Sequence, residues 1–232
     1  MKILNTKTIS QDKLKILVYG EAGVGKTTLA GTIEEPTLII SAESGLLSLA
    51  SKEIDVIDIS TDDEGKIIPK EKRIARLAQA YSYLLTDECK NKYKWIFIDS
   101  LSEISQNLIE KLNDEYRDRK DALVMYGENS KQLKGIVKLF RDIPFYNIVF
   151  TALASPEKNE DNKRIMEISL VGNFAKQISA YFDEVFYMAI DKDGNRVLIT
   201  AKNDTIQAKD RSGKLSNYES ANLKTIKEKI SC

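Results

Sequence analysis

Residues 15–27 read KILVYGEAGVGKT, an apolar run that leads directly into a glycine-rich loop ending in Lys26 and Thr27. Such a loop points backbone N–H groups inward, its lysine brings a positive charge to the β- and γ-phosphates, and its hydroxyl can bind magnesium. The following residues, TTLAGTI, favour a helix. The stretch therefore predicts a strand, a phosphate-binding loop over residues 20–27 and a helix. The residues expected to contact a nucleotide are Gly20, Glu21, Ala22, Gly23, Val24, Gly25, Lys26, Thr27 and Thr28.

The composition excludes several other classes of site. The 232 residues contain no histidine, which excludes Ser/His and Cys/His nucleophilic pairs. Cys89 and Cys232 form no CxxC pair, so we expect neither a zinc site nor a disulfide framework. The 35 Lys and Arg residues equal the 35 Asp and Glu residues, so binding to a polyanion must be local.

The chain shows neither a membrane-spanning pattern nor a secretory signal. No apolar run approaches the roughly 18 residues that a spanning helix needs. Residues 1–20 lack the basic stretch, apolar core and small-residue cleavage site of a secretory signal. We therefore expect a cytoplasmic protein that does not enter a membrane.

Apolar runs alternate with helical patterns, which indicates strands joined by crossover helices and hence a mainly parallel sheet. The predicted strands are 15–19, 37–41, 56–59, 95–98, 147–151, 184–189 and 196–200. The predicted helices are 71–85, 101–116, 131–140 and, at the C-terminus, 222–230. Residues 61–69 and 155–164 are polar without periodicity, so we expect loops there.

Two carboxylates follow predicted strands at the edge where ligands bind in such sheets. Asp99 ends the run WIFID and suits magnesium together with Thr27, while Ser100 can assist by hydrogen bonding. Glu43 follows the run TLIIS and, without histidine in the chain, is the candidate that activates water. The alternatives are an ordinary aspartate in a turn after a strand and a solvated loop glutamate.

The order of these motifs resembles the core of RecA-type recombinases: a phosphate loop, a strand ending in SAE at residues 41–43, and a strand ending in IDS at residues 98–100. It looks most like the short RecA-like annealing and nucleotide-binding proteins of bacteriophages. The resemblance covers about residues 13–215. It implies an α/β fold with a mainly parallel twisted sheet flanked by helices. The turn at residues 191–194, between two predicted strands, indicates that antiparallel strands are added in the C-terminal third. We expect one RecA-like domain over residues 1–232, with an N-terminal extension at 1–13 and a C-terminal helix at 221–232.

The resemblance also implies roles for further residues. It makes Glu43 the catalytic carboxylate and Asp99 the residue on the magnesium side, with ATP and Mg²⁺ as cofactors. In RecA-like filaments basic residues of the next subunit reach the γ-phosphate, and Lys209 and Arg211 in the segment AKDRSGKL stand in the matching region. An ordinary charged hairpin is the alternative. The family pattern has a polar sensing residue after the strand NIVFT, but Ala152 and Leu153 stand there in this chain. Thr151, the last residue of that run, is then expected to take this role alone.

DNA contacts have weaker support in the sequence. The resemblance places DNA-binding loops near residues 117–120 and at residues 155–164, where Lys158, Lys163 and Arg164 can meet phosphates. Acidic residues nearly cancel the charge of both segments, and the second has no aromatic residue for stacking bases. Lys131, Lys134 and Lys138 share one predicted helix face, for which a solvated face is the commoner explanation.

The leading hypothesis is an ATP-hydrolysing phage or prophage protein in the host cytoplasm, which binds single-stranded DNA and promotes annealing or strand exchange. Its expected partners are other copies of itself with shared active sites and a single-strand-binding protein. A nucleotide-dependent ATPase acting on a protein remains open. A GTPase fits less well, because the segment AKND at residues 201–204 has alanine where the guanine-binding motif NKxD has its first asparagine. A kinase also fits less well, because it would normally need an arginine-rich lid over the phosphates, whereas the loop at residues 61–69 is acidic.

Overall fold

The computed structural model describes residues 13–43, 45–116, 122–158 and 161–231. Its strands are β1 (Lys15–Gly20), β2 (Thr37–Ser41), β3 (Asp55–Asp58), β4 (Trp95–Asp99), β5 (Asn147–Lys158), β6 (Arg164–Ile168), β7 (Glu184–Ile190), β8 (Arg196–Ile199), β9 (Lys209–Asp210) and β10 (Tyr218–Ser220). Its α-helices are α1 (Lys70–Leu84), α2 (Asp87–Lys92), α3 (Leu101–Glu115), α4 (Ala122–Arg141) and α5 (Leu223–Ser231). Short 3-10 helices span Thr27–Thr32, Leu47–Leu49, Asn173–Lys176 and Ile178–Tyr181.

The strands form one mixed sheet in the order β10-β8-β7-β1-β5-β4-β2-β3. From β7 to β3 every neighbouring pair is parallel, whereas β8, β9 and β10 add antiparallel pairs in the C-terminal third. β9 and β8 lie on the same side of β7, with β9 paired to its first residues and β8 to its last. This arrangement confirms the α/β fold class and the antiparallel addition.

Alternate residues of the central strands enter two separate cores, because side chains of a strand point to opposite faces of a sheet. On one face, Leu17, Ile98 and Phe150 pack with residues from α1, α3 and α4. On the other face, Val18 and Phe97 pack with the Thr27–Thr32 helix and α5. Because both faces are covered, the middle residues of the central strands are apolar, as in the run WIFI of β4.

The segment after the phosphate loop forms a helix at Thr27–Thr32, where one is predicted, and this helix is of the 3-10 type. Thr28 Oγ1 donates to the carbonyl of Gly25 at 2.5 Å, and Thr32 Oγ1 donates to that of Leu29 at 2.7 Å. Hydroxyls bonded to nearby carbonyls compete with the regular helical pattern, and β-branched residues and Gly31 lower helix propensity further. These features account for a short 3-10 helix at the place where TTLAGTI predicts a helix.

The segment 155–164 was expected to be a loop, but its residues 155–158 and 164 lie in two paired strands. β5 continues to Lys158 and pairs antiparallel with β6, from Ala154 opposite Ile168 to Lys158 opposite Arg164. Helix α4 likewise starts nine residues before the predicted start at residue 131. Its glycines and Asn129 weakened the helical pattern in the sequence, but Asn129 is buried and donates to the carbonyl of Ser105 at 3.1 Å.

Some predictions fall on residues outside the described ranges: the first DNA loop at residues 117–120, most of the extension at 1–13, and Cys232. Within the described ranges, none of the helices combines the length and apolar character needed to cross a bilayer. Helix α5 forms close to its predicted place, at Leu223–Ser231.

Candidate nucleotide-binding site

The phosphate loop joins the end of β1 to the Thr27–Thr32 helix at the carboxyl edge of the sheet. Its first glycine lies so close to β7 that a Cβ on Gly20 would stand 2.6 Å from the carbonyl oxygen of Met188. Gly25 has φ +105°, a conformation that side chains disfavour. Side chains at these two positions would therefore displace either the neighbouring strand or the loop itself.

Lys26 is buried under the loop, with a relative exposure of 7%. Its Nζ donates to the carbonyls of Gly20 at 3.0 Å and Glu21 at 2.9 Å. Burial lowers the pKa of this ammonium, while the charges of Glu43 and Asp99 act in the opposite direction. The cation therefore lies inside the loop with two carboxylates near enough to influence it.

Asp99 ends β4 and connects three elements of the site. Thr27 Oγ1 donates to Asp99 Oδ2 at 2.6 Å, and Thr151 Oγ1 on β5 donates to Asp99 Oδ1. The strand order explains this contact, because β5 lies between β1 and β4 and carries Thr151 to the same level. The structure thus brings together the two predicted magnesium residues and the predicted sensing residue.

Glu43 and Ser100 meet beside this group. Ser100 Oγ donates to Glu43 Oε1, and it also accepts a 3.4 Å hydrogen bond from the Glu103 N–H at the start of α3. Desolvation of the Glu43 carboxylate is the main cause that raises its pKa; the Ser100 bond opposes it and the charge of Asp99 adds to it. A carboxylate with a raised pKa is a better proton acceptor.

A cavity of about 260 Å³ lies against the loop. It is lined by Ala22, Gly23, Gly25, Lys26, Thr27, Thr28, Glu43, Ser48, Leu153 and Arg196. Six of the predicted loop residues and Glu43 therefore surround one space. Val24 instead packs its side chain in the core beneath the loop.

Arg196 and Ser48 were not predicted from the sequence. Arg196 opens β8 after the turn at residues 191–195, and no motif marks it. Its place in the cavity depends on the pairing of β8 with β7 and of β7 with β1, two long-range contacts. The turn at residues 191–195 was the one feature of the sequence that could have indicated this position. It places the start of β8 at the edge of the sheet that carries the phosphate loop.

Lys209 and Arg211 do not line this cavity. β9 pairs with the first residues of β7, level with Ile16 of β1, whereas the loop begins four residues later, about 13 Å along the strand. Lys209 Nζ donates to the carbonyls of Phe182 at 2.5 Å and Ser179 at 3.3 Å, and Arg211 pairs with Asp183 at 2.6 Å. Any contact of these cations with a nucleotide would therefore have to be made in another subunit.

Comparison with solved structures supports the fold. The chain is similar to an ATPase from the type III secretion system of pathogenic bacteria, with 14% sequence identity and a TM-score of 0.51. The matched region covers 76% of this chain and 52% of that one, so the chain corresponds to about half the length of the secretion ATPase. This likeness shows a shared P-loop ATPase fold.

Sequence comparisons give the family. No curated protein matches the chain. The AAA domain family matches residues 12–212, a range that includes the phosphate loop, Glu43, Asp99 and β9. The chain belongs to the AAA domain family.

Proposed function

We propose that this protein is a magnesium-dependent ATPase whose loop at residues 20–28 binds the phosphates of ATP. One observation carries the proposal: Thr27, hydrogen-bonded to Asp99, lines the same cavity as Lys26 and Glu43. A hydroxyl, a carboxylate pair and a buried ammonium at the carboxyl edge of a parallel sheet are the groups that phosphoryl transfer to water requires.

Thr27 and Asp99 fit the role of magnesium ligands, because hydroxyl and carboxylate oxygens are the donors that this ion prefers. In the ranges that the structure covers, no group of three or more His, Cys, Asp or Glu side chains is arranged to hold a metal ion. The remaining ligands would therefore be phosphate oxygens and water. When bound, magnesium neutralises charge on the phosphates.

Each protein group then has a defined task. Lys26, now donating to two loop carbonyls, supplies positive charge at the β- and γ-phosphates. Glu43 accepts a proton from the attacking water, and the Ser100 hydroxyl holds its carboxylate in place. Thr151 donates to Oδ1 of Asp99, whereas Thr27 donates to Oδ2, so Thr151 holds the carboxylate in place from the other side.

The placement of the AKND segment gives no reason to prefer GTP over ATP. Lys202, Asn203 and Asp204 line a cavity of about 580 Å³ that shares no lining residue with the cavity at the phosphate loop. A guanine-reading motif has to reach the base of a nucleotide whose phosphates lie on the loop. These residues therefore give no support to guanine recognition.

We infer that the ATPase acts on single-stranded DNA in phage-type recombination, with the β5-β6 hairpin as the contact. Strand β5 runs without interruption from Thr151 beside Asp99 to Lys158 in the hairpin. The Ser102 hydroxyl accepts from the Leu153 N–H at 2.9 Å and donates to the carbonyl of Ser169 at 2.8 Å, which ties the base of the hairpin to α3. These contacts support a structural connection through which the nucleotide site can affect the position of the hairpin cations.

We further propose that the protein works as an oligomer with shared sites. Lys209 and Arg211 lie at the edge of the sheet opposite the phosphate loop of their own chain. Stacking copies with this edge against the loop of a neighbour would bring these cations to its γ-phosphate, where positive charge stabilises the transition state.

A second candidate function is an ATPase that acts on a protein. The hairpin carries Glu157, Asp161 and Glu167 besides its cations, and residues 155–168 contain no aromatic side chain for stacking bases. The first five residues of α4 include the exposed Leu123, Val124 and Tyr126, an apolar set suited to contact with a protein.

One experiment separates these functions. ATP turnover is measured with magnesium and with excess EDTA, then with a single-stranded oligonucleotide at several salt concentrations, since phosphate contacts are salt-sensitive. We expect turnover that requires magnesium, is lost in Lys26→Ala, and rises with DNA at low salt. An active enzyme that neither binds DNA nor responds to it would favour the protein partner, whereas no turnover with magnesium would refute the ATPase itself.

A further inference from the structure

Arg196 reaches the phosphate loop from the far side of β7. It pairs with Ile190 in the β7-β8 ladder, at the carboxyl end of β7 and therefore at the edge of the sheet that carries the loop. Its carbonyl accepts a hydrogen bond from the Ala221 N–H at 3.2 Å, which fixes the start of β8 against the segment before α5. The backbone that presents this side chain is thus held from two directions.

The guanidinium group of Arg196 lies directly against the loop. Nε donates to the carbonyl of Val24 at 3.2 Å. A Cβ placed on Gly25 would stand 2.4 Å from Nε and 3.0 Å from Cζ, so the guanidinium occupies the space beside this glycine. Arg196 therefore forms one wall of the cavity, in which Lys26 and Thr27 also lie.

Among the residues that the structure describes, no carboxylate neutralises the charge of Arg196. Within the described parts of the chain, the guanidinium makes the Val24 hydrogen bond and no ion pair. Other arginines do form ion pairs: Arg73, Arg76, Arg141 and Arg211. Because the guanidinium is held through Nε, both of its Nη groups can donate hydrogen bonds to a ligand. Their planar arrangement matches the geometry of phosphate oxygens.

We propose that Arg196 binds the triphosphate of ATP in cis, as a second cation from the same chain as Lys26. The inference rests on the proposed ATP site and adds a residue to it. Because both cations come from one chain, binding of ATP does not need a neighbouring subunit. Nucleotide affinity should then be independent of protein concentration, even where hydrolysis depends on oligomer formation through Lys209 and Arg211.

The test compares full-length Arg196→Ala, Arg196→Lys and Lys192→Ala with the unaltered chain, by calorimetric titration with ATP in magnesium buffer. Lys192 is a matched control, because it is an exposed cation in the turn just before β8 but does not line the cavity. We expect Arg196→Ala to bind ATP roughly 10- to 100-fold more weakly, the loss typical of a charge-assisted hydrogen bond. Arg196→Lys should recover part of that loss, and Lys192→Ala should bind normally.

Melting curves without nucleotide distinguish phosphate binding from support of the loop. The inference requires Arg196→Ala to melt within about a degree of the unaltered chain. It fails if Arg196→Ala binds ATP as tightly as the unaltered chain while Lys26→Ala does not, a result that leaves the proposed ATP site standing. It also fails if the alanine and lysine variants lose affinity equally and melt earlier, since Arg196 then only holds the loop. If the unaltered chain and Lys192→Ala bind no ATP, the proposed function fails first.

Discussion

The hydroxyl of Thr27 donates a 2.6 Å hydrogen bond to Oδ2 of Asp99, which joins the phosphate loop to the end of a strand 72 positions further along the chain. Asp99 is almost fully buried, and its other oxygen accepts from Thr151. The carboxylate is therefore held by two neutral donors. A cation bound here would break the hydrogen bond between Thr27 and Asp99. It would itself contact the Thr27 hydroxyl and the Asp99 carboxylate.

Replacing Asp99 with asparagine should reduce ATP turnover by at least roughly 100-fold, because a neutral amide holds magnesium poorly. The measurement is the hydrolysis rate over a series of magnesium concentrations, where the half-saturating concentration should rise. Asp193→Asn, which removes a carboxylate from an exposed turn, serves as the control. Unchanged magnesium dependence in Asp99→Asn would remove this residue from the metal site.

Replacing Glu43 with glutamine should slow hydrolysis by roughly 100- to 10,000-fold, the range that general base catalysis contributes. ATP binding should remain, because the amide is of similar size and can still accept the Ser100 hydrogen bond. Single-turnover hydrolysis and calorimetric binding of ATP separate the two effects. Glu53→Gln, at an exposed position, controls for loss of charge, and normal turnover in Glu43→Gln would disprove the role of base.

The hydrolysis rate should depend on pH through Glu43 and Lys26. The raised pKa of Glu43 means that activity falls as the pH drops through a value above the usual glutamate range, since the base becomes protonated. The lowered pKa of Lys26 means that activity also falls as the pH rises, before an ordinary lysine would lose its proton. A profile of kcat/KM against pH tests both limbs. An acid limb at the ordinary glutamate pKa would contradict the environment described for Glu43.

Arg211→Ala should hydrolyse ATP slowly by itself, yet regain activity when mixed with Glu43→Gln subunits. A mixed interface can combine an intact Glu43 site of one subunit with an intact Arg211 of the next. Arg211 is preferable to Lys209 here, because Lys209 donates to two backbone carbonyls and its loss should also disturb the fold. Absence of recovery in an oligomer shown by light scattering would argue against shared sites.

Glu184 should make the stability of the protein fall as the pH rises. Burial is the main cause that raises its pKa to about 8, and the charge of Asp210 adds to it while the Ser212 N–H opposes it. The folded state then holds this proton more tightly than the unfolded chain, whose carboxyl has a pKa of about 4.5. The stabilisation present below about pH 4.5 is therefore lost progressively up to about pH 8.

Comparison of Glu184→Gln with the unaltered chain separates the effect of this carboxyl on stability from the effects of other titrating groups. The free energy of unfolding, from urea titrations between pH 5 and pH 8, should decline by on the order of 2 kcal/mol more in the unaltered chain. Parallel pH dependence in the two proteins would show that Glu184 ionises normally.

The sheet could be predicted from the sequence because its central strands are buried on both faces. Residues 37–41 form β2 with the bounds predicted, and the runs before Gly20 and Asp99 form β1 and β4. Glu43 and Asp99 were found by the same rule, since a polar residue directly after such a strand lies at the ligand-binding edge.

The remaining features depend on contacts between distant parts of the chain. The hairpin of β5 and β6 has polar residues on both strands, so no apolar alternation marked it. The contact of Arg196 with Val24 spans 172 positions and follows only from the strand order. Short pairing segments such as β9 have no pattern of their own at all.

β1 lies between β5 and β7 in the middle of the sheet, and its residues from Ile16 to Tyr19 are inaccessible to solvent. Amide hydrogens in such a strand exchange with solvent only when the whole molecule unfolds. We therefore expect the phosphate loop to be attached to one of the slowest-exchanging strands of the protein. Moderate loss of global stability should leave its affinity for nucleotide unchanged until a sizeable fraction of molecules is unfolded.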